Sequence, residues 1–182
     1  MIYKSSIKLM ALLLVGLIST GCSSYNISKY NANIDNINNM KSIKGKVNIG
    51  SFTAKEKAQS AIMCRGAGDV GFADKTPFVK YIKNALVTEL KHAGKYNKNS
   101  KITINGYLDS IDFNSNMGTA NWIFKLKASS NNSKSITVNT KYEFEGSFIA
   151  DRACSEMAQA FVPAVQKLIN DIIKHKNFRA LL

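Results

Sequence analysis

The order of apolar and polar positions divides the chain into a short apolar leader, an unpatterned polar stretch and a patterned body. Leu9 to Ile18 is an unbroken apolar run behind a segment that carries Lys4 and Lys8 and no acid. From Ser23 to Lys44 the chain is polar and Asn-rich with isolated isoleucines, too little apolar surface to order itself, which predicts a flexible tether. Lys46 to Phe52 alternates as a half-buried first strand does. Residues 53–75 keep no period and predict an irregular connection containing Cys64-Arg65-Gly66-Ala67-Gly68-Asp69. Thr76-Pro77 then predicts a helix start, with the hydroxyl as N-cap and proline at the first helical position. Phe78, Ile82, Ala85, Leu86, Leu90 and Ala93 form its apolar stripe, and Gly94 ends it.

A three-stranded meander follows. Ile102, Ile104, Gly106 and Leu108 share one face before the apolar parity moves to Ile111 and Phe113, which predicts a bulge near Asp109-Ser110. After a turn at residues 114–118, Trp122, Phe124, Leu126 and Ala128 point inward while Asn121, Lys125 and Lys127 point out. A second turn at 129–133 leads to Ile136, Val138, Thr140, Tyr142, Phe144, Gly146 and Phe148 on one face, with Lys141, Glu143 and Glu145 on the other. Ser155 to His175 reads as a helix with a break near Phe161-Val162, because Pro163 lacks a helical N–H. The apolar tail Phe178 to Leu182 packs back on the domain or meets a partner. The order predicts an α+β fold, a mixed four-stranded sheet (strand, helix, three-stranded meander, helix) with both helices on one face. A right-handed crossover makes the first strand parallel to its neighbour.

The leader changes the setting. Ten apolar residues cannot cross about 30 Å of hydrocarbon, which takes roughly 20, so the run reads as the core of a secretory signal. Leu17-Ile18-Ser19-Thr20-Gly21-Cys22 resembles the lipobox of bacterial lipoproteins, with Ser19 where leucine is commonest. That resemblance implies cleavage before Cys22 and its acylation, and Ser23 in place of Asp implies sorting to the outer membrane. The domains are then residues 1–21 as signal peptide, 22–44 as lipidated cysteine and tether, and 45–182 as a single periplasmic α+β domain. A tether of some twenty residues spans at most about 70 Å.

Composition adds two constraints. The net charge is +13, and +11 without Lys4 and Lys8, but the lysines are scattered and form no run. Nucleic-acid binders concentrate charge on one face, and exported proteins rarely meet nucleic acid, so neither nucleic acid nor nucleotide is expected as a ligand. Nineteen asparagines suggest a compositional bias that raises Asn and Lys without a functional cause. With Cys22 assigned to the anchor, Cys64 and Cys154 are left as a pair in a compartment that permits disulfides, and they are expected to be bridged.

No catalytic, cofactor or metal motif follows. Gly66, Gly68 and Gly71 have Gly-x-Gly-x-x-Gly spacing but lead into no immediate helix. His92 and His175 lie near helix ends, where a cation complements the helix dipole. Asp109 and Asp112 fall on opposite faces of a regular strand unless the bulge realigns them, and Glu143 and Glu145 share the wet face. From Cys64 through Thr76-Pro77 and Tyr81-Ile82-Lys83-Asn84-Ala85-Leu86, then Trp122, Cys154 and Phe161-Val162-Pro163-Ala164-Val165, the exported region resembles a family of uncharacterised lipoproteins of double-membraned bacteria. Its element order is more distantly similar to periplasmic domains of auxiliary envelope lipoproteins. The expectation is a non-enzymatic accessory module, anchored at the outer membrane through Cys22, with another envelope protein as partner. The surface expected to meet it is the wet sheet face with Lys125, Lys127, Lys141 and Glu143. A binder of lipid, glycolipid or cell-wall glycan, with a pocket between helices and sheet, is the alternative.

Overall fold

The computed structural model describes residues 23–182, so the expectations for the leader and for Cys22 lie outside the described residues. Seven strands, three helices and a 3-10 turn follow in the order β1 (Ser23–Asn26), α1 (Ile34–Lys41), β2 (Asn48–Ala54), β3 (Ala61–Cys64), β4 (Gly68–Gly71), α2 (Phe78–His92), β5 (Thr103–Asn114), β6 (Gly118–Ser130), β7 (Ser135–Gly146), α3 (Ala150–Lys174) and Phe178–Leu181. The fold is α+β. Its main sheet has the order β2-β5-β6-β7, with β2 parallel to β5 and β5, β6 and β7 forming an antiparallel meander.

The alternating pattern places the core. Ile104, Leu108, Ile111, Trp122, Phe124, Leu126, Ala128, Ile136 and Val138 are buried, facing the stripes of α2 and α3. Register shifts between Leu108 and Ser110, where the change of apolar parity calls for a bulge. A second irregularity separates Ile49 from Phe52 on β2, and the Phe52 ring lies over Gly106, where a Cβ would come within 2.5 Å of it. Phe161 is the hub of the core, with its ring centroid 4.8 Å from that of Trp122, 5.3 Å from Phe78 and 5.4 Å from Tyr81. The Trp122 indole N–H donates to the Met157 carbonyl at 2.9 Å.

Several expectations are corrected. Residues 23–44 are not a loose tether: they form β1 and α1. β1 runs parallel to β4, and with the β3–β4 hairpin it makes a second sheet of order β1-β4-β3. Residues 53–75 therefore contain a hairpin, turning at Arg65 and Gly66 with φ of 50° and 67°. α1 is held by amide hydrogen bonds as well as by Met40, which is fully buried, and Ile37, which packs against the core. Asn33 caps it by accepting from the Asn36 N–H at 3.0 Å, and the Asn36 side chain donates to the Gln166 carbonyl at 2.8 Å. Such contacts leave no hydrophobic period in the sequence.

α2 begins one residue later than its proline signal predicts. The Thr76 hydroxyl donates to Asp74 at 2.8 Å, so Pro77 takes the cap position and the Phe78 N–H donates to the Gln59 carbonyl at 2.9 Å. Gly94, at φ 69°, closes the helix as expected. α3 is one continuous helix through Pro163, without the expected break. Proline deprives the Gln159 carbonyl of its helical donor, but Gln159 is exposed and water can replace it. Burial of Ala160, Phe161, Ala164, Val165, Leu168 and Ile169 around the proline offsets the loss. Phe148 also departs from its expected inward face: β7 ends at Gly146, the Ser147 N–H donates to Glu156 at 3.0 Å, and Phe148 is left 78% exposed. The tail packs back, with Phe178 and Leu181 buried.

Candidate functional site

The face of the main sheet turned away from the helices is built from the polar half of the alternation. Across β5, β6 and β7 the rows are Tyr107, Lys127 and Thr137; Ser110, Lys125 and Asn139; Asp112, Ile123 and Lys141; and Asn114, Asn121 and Glu143. The four residues expected to share this face, Lys125, Lys127, Lys141 and Glu143, do share it, and all are exposed. Asn121, expected to point out, lies in the same row as Glu143 but is buried, with its side-chain oxygen unpartnered.

Charges on this face are mostly paired. Lys125 Nζ lies 2.9 Å from Asp109, and Lys141 Nζ lies 2.6 Å from Glu143. Exposed pairs of this kind contribute little to stability, because solvent screens them and two long side chains must be ordered. The bulge turns Asp109 toward Lys125 and so brings it to the face that Asp112 also occupies. The hydrogen bond from Lys125 and that lysine's charge hold the Asp109 carboxyl below the ordinary carboxylate range, so it stays ionised and is poorly suited to act as a proton donor at neutral pH. Lys127 has no acidic partner among the described residues.

β7 is the edge of the main sheet, twelve residues long, with no strand beyond it among the described residues. Its outward side chains include Lys141, Glu143 and Glu145, charges that discourage indiscriminate edge pairing. Between the sheet and the helices, the space bounded by Ile49, Leu86, Leu126 and Ile172 is about 10 Å³, room for one water at most. Among the described residues, apolar side chains fill this space, including Val47, Phe52, Ile104 and Phe178.

The other sequence candidates are dispersed. Gly66 lies in the β3–β4 turn while Gly68 and Gly71 bound β4, so their spacing leads from a turn into a strand. His92 is exposed at the end of α2, and His175 follows the end of α3. Among the described residues no three His, Cys, Asp or Glu side chains are grouped to hold a metal ion, and no helix is long and apolar enough to cross a membrane. Cys64 and Cys154 are joined in a disulfide that ties the β3–β4 hairpin to α3.

One polar cluster escaped the sequence reading. Glu89 lies fully buried on the inner side of α2, where its Oε1 accepts from the Tyr30 hydroxyl, from the Asn36 amide at 3.2 Å and from the Asn33 N–H at 3.3 Å. Asn170 donates to Asn36 at 2.7 Å, which links α1, α2 and α3. An acid seven residues after Ile82 and three after Leu86, on an apolar stripe, was the available signal. Desolvation raises the Glu89 carboxyl above its ordinary range, against the lowering effect of these donors. Its Oε2 has no partner.

An acid whose folded value lies above its unfolded one stabilises the fold most where the unfolded carboxyl is still protonated, below about pH 4. That contribution is lost as pH rises through the raised folded value. Glu89→Gln is neutral throughout, so it is expected to be more stable than the parent at pH 7.5 by about 1 kcal/mol. The gap is expected to close at pH 4. Urea unfolding of both proteins at the two pH values measures it.

The molecule thus belongs to the class of disulfide-linked α+β domains with an open antiparallel sheet face. Its fold is similar to the crystal structure of protein XCC0632 from Xanthomonas campestris, of the family DUF330. The TM-score is 0.52 at 11% sequence identity, over 84% of this chain and 94% of that one. No family model matches the sequence, and no curated protein matches it.

Proposed function

We propose that the protein is a bacterial lipoprotein, exported by residues 1–21 and anchored through acylated Cys22 to the periplasmic face of the outer membrane. There it serves as a non-enzymatic module that docks another envelope protein. The carrying observation is the exposed β5–β6–β7 face together with the twelve-residue β7 edge, which no strand among the described residues pairs. An extended segment of a partner can add to such an edge through main-chain hydrogen bonds, with Lys127 and the Lys141–Glu143 pair selecting its side chains. The small size of the space bounded by Ile49, Leu86, Leu126 and Ile172 supports docking at a surface over uptake of a lipid there.

A photoreactive amino acid at Lys127 or Lys141 in the full chain, expressed in its own cells, is expected to give one discrete crosslinked envelope protein. The same probe at Lys174 on α3 is expected to give none, and Cys22→Ala is expected to abolish the adduct. Equal crosslinking from both faces, or none from the sheet, would overturn the docking role.

A further inference from the structure

Among the described residues, seven large apolar side chains are exposed, and four of them lie at one end of the molecule: Met63 at 60%, Met117 at 66%, Phe148 at 78% and Ile149 at 63%. They come from three separate loops or strand ends. Met63 precedes the β3–β4 turn, Met117 lies in the β5–β6 turn, and Phe148 and Ile149 join β7 to α3. The Arg65 guanidinium gathers these segments by donating to the Ser115 hydroxyl at 3.2 Å, to the Ser115 carbonyl and to the Phe148 carbonyl at 3.0 Å. The Cys64–Cys154 bridge ties the same hairpin to the first turns of α3, and a Cβ at Gly146 would collide with the Asn116 carbonyl, so the loops are held closely against one another.

The chain enters the fold at this same end. Ser23 opens β1 opposite Gly68, immediately past the Arg65–Ala67 turn, and β1 then runs away from that end to pair Asn26 with Gly71. Cys22 is one peptide unit from Ser23, about 3.8 Å between Cα atoms. Because residues 23–44 are built into the domain, no slack separates an acylated Cys22 from the loop tips.

We propose that the domain rests directly on the bilayer, with Met63, Met117, Phe148 and Ile149 inserted among the lipid head groups. The proposal rests on Cys22 being the lipid anchor. The occupant is a lipid surface because the acyl chains on Cys22 bring one to this end, and exposed apolar tips beside an anchor gain by burial at the head-group boundary. Insertion is apolar, so it does not require anionic lipid. With this end down, β7 and the open sheet face stay clear of the membrane and accessible to a partner.

The test uses the full-length protein purified from membranes and reconstituted in phosphatidylcholine vesicles carrying a diazirine-labelled phospholipid. After illumination, peptide mapping locates the lipid adducts, and intact mass on the same sample reads the state of Cys22. Adducts are expected to concentrate on residues 61–66, 115–118 and 147–150. Replacing Met117→Asp, Phe148→Asp and Ile149→Asp together is expected to cut them at least tenfold, with the circular dichroism spectrum and thermal midpoint unchanged. Adducts spread evenly over the surface, or chain-to-chain contacts in their place, would overturn the proposal. Bare loops on a chain with acylated Cys22 would overturn it and leave the anchor standing. Labelled loops on a chain with unmodified Cys22 would support the insertion and overturn the anchor.

Discussion

Replacing Cys64 and Cys154 together by alanine is expected to lower stability by roughly 4 to 5 kcal/mol, since the bridge closes a loop across a sequence separation of 90. In a domain of this size that corresponds to a fall of about 10 to 15 °C in thermal midpoint. The loss matters because stability is typically only 5 to 15 kcal/mol. It is also uneven. β1, β3 and β4 are four residues each, and a sheet of such short strands does not stand without support, so the hairpin is expected to open first. Limited proteolysis under reducing conditions is expected to cut first within residues 55–75, while the meander stays intact. Simultaneous cleavage throughout would show that the small sheet does not depend on the bridge.

Phe161→Ala carries the second large effect. The Phe161 ring is fully buried and meets five other rings, those of Phe72, Phe78, Tyr81, Trp122 and Phe124. These rings come from α2, from β6 and from the segment after β4, so the cavity left behind is shared by elements that cannot all close upon it. The expected cost is about 3 to 5 kcal/mol. The chain has one tryptophan, Trp122, buried 4.8 Å from the lost ring, so its fluorescence follows unfolding and reports the cavity directly. A loss under about 1 kcal/mol would mean that the cluster collapses around the gap.

The core half of the fold was legible because burial there follows a period. Ile136 to Phe144 alternates by two, the stripe of α2 recurs at three and four, and the parity change at Asp109-Ser110 marks the bulge. The amino-terminal segment was not legible because its buried apolar residues, Ile27, Met40 and Ile43, follow no period and the rest of its order comes from paired polar groups. Asn33, Asn36 and Asn170 look like compositional bias in a chain rich in asparagine, yet their amides hold α1 to α2 and α3 around Glu89. The β3–β4 hairpin is too short for periodicity to register, and its turn depends on positive φ at Arg65, a conformation that composition does not announce. Pro163 misled in the opposite sense, since one missing hydrogen bond is small against the apolar face of a 25-residue helix.

The open sheet face was readable residue by residue, because a strand that buries one side must expose the other. The loop-tip cluster was not, since Phe148 continues the inward parity of β7 on paper and leaves it only where Ser147 turns toward Glu156. Building residues 23–44 into the domain changes the functional geometry more than any other difference. Under the proposed anchoring at Cys22, a module expected to range over tens of ångströms would instead be held close to the bilayer, because β1 and α1 take up the length assigned to the tether.

The proposed attachment depends on Cys22. Intact-mass analysis of the protein extracted from the membranes of its own cells is predicted to find a chain starting at Cys22 and carrying a diacylglyceryl group and an amide-linked acyl chain on that residue. A chain recovered without acyl mass on Cys22, or one that retains residues before it, would contradict the account.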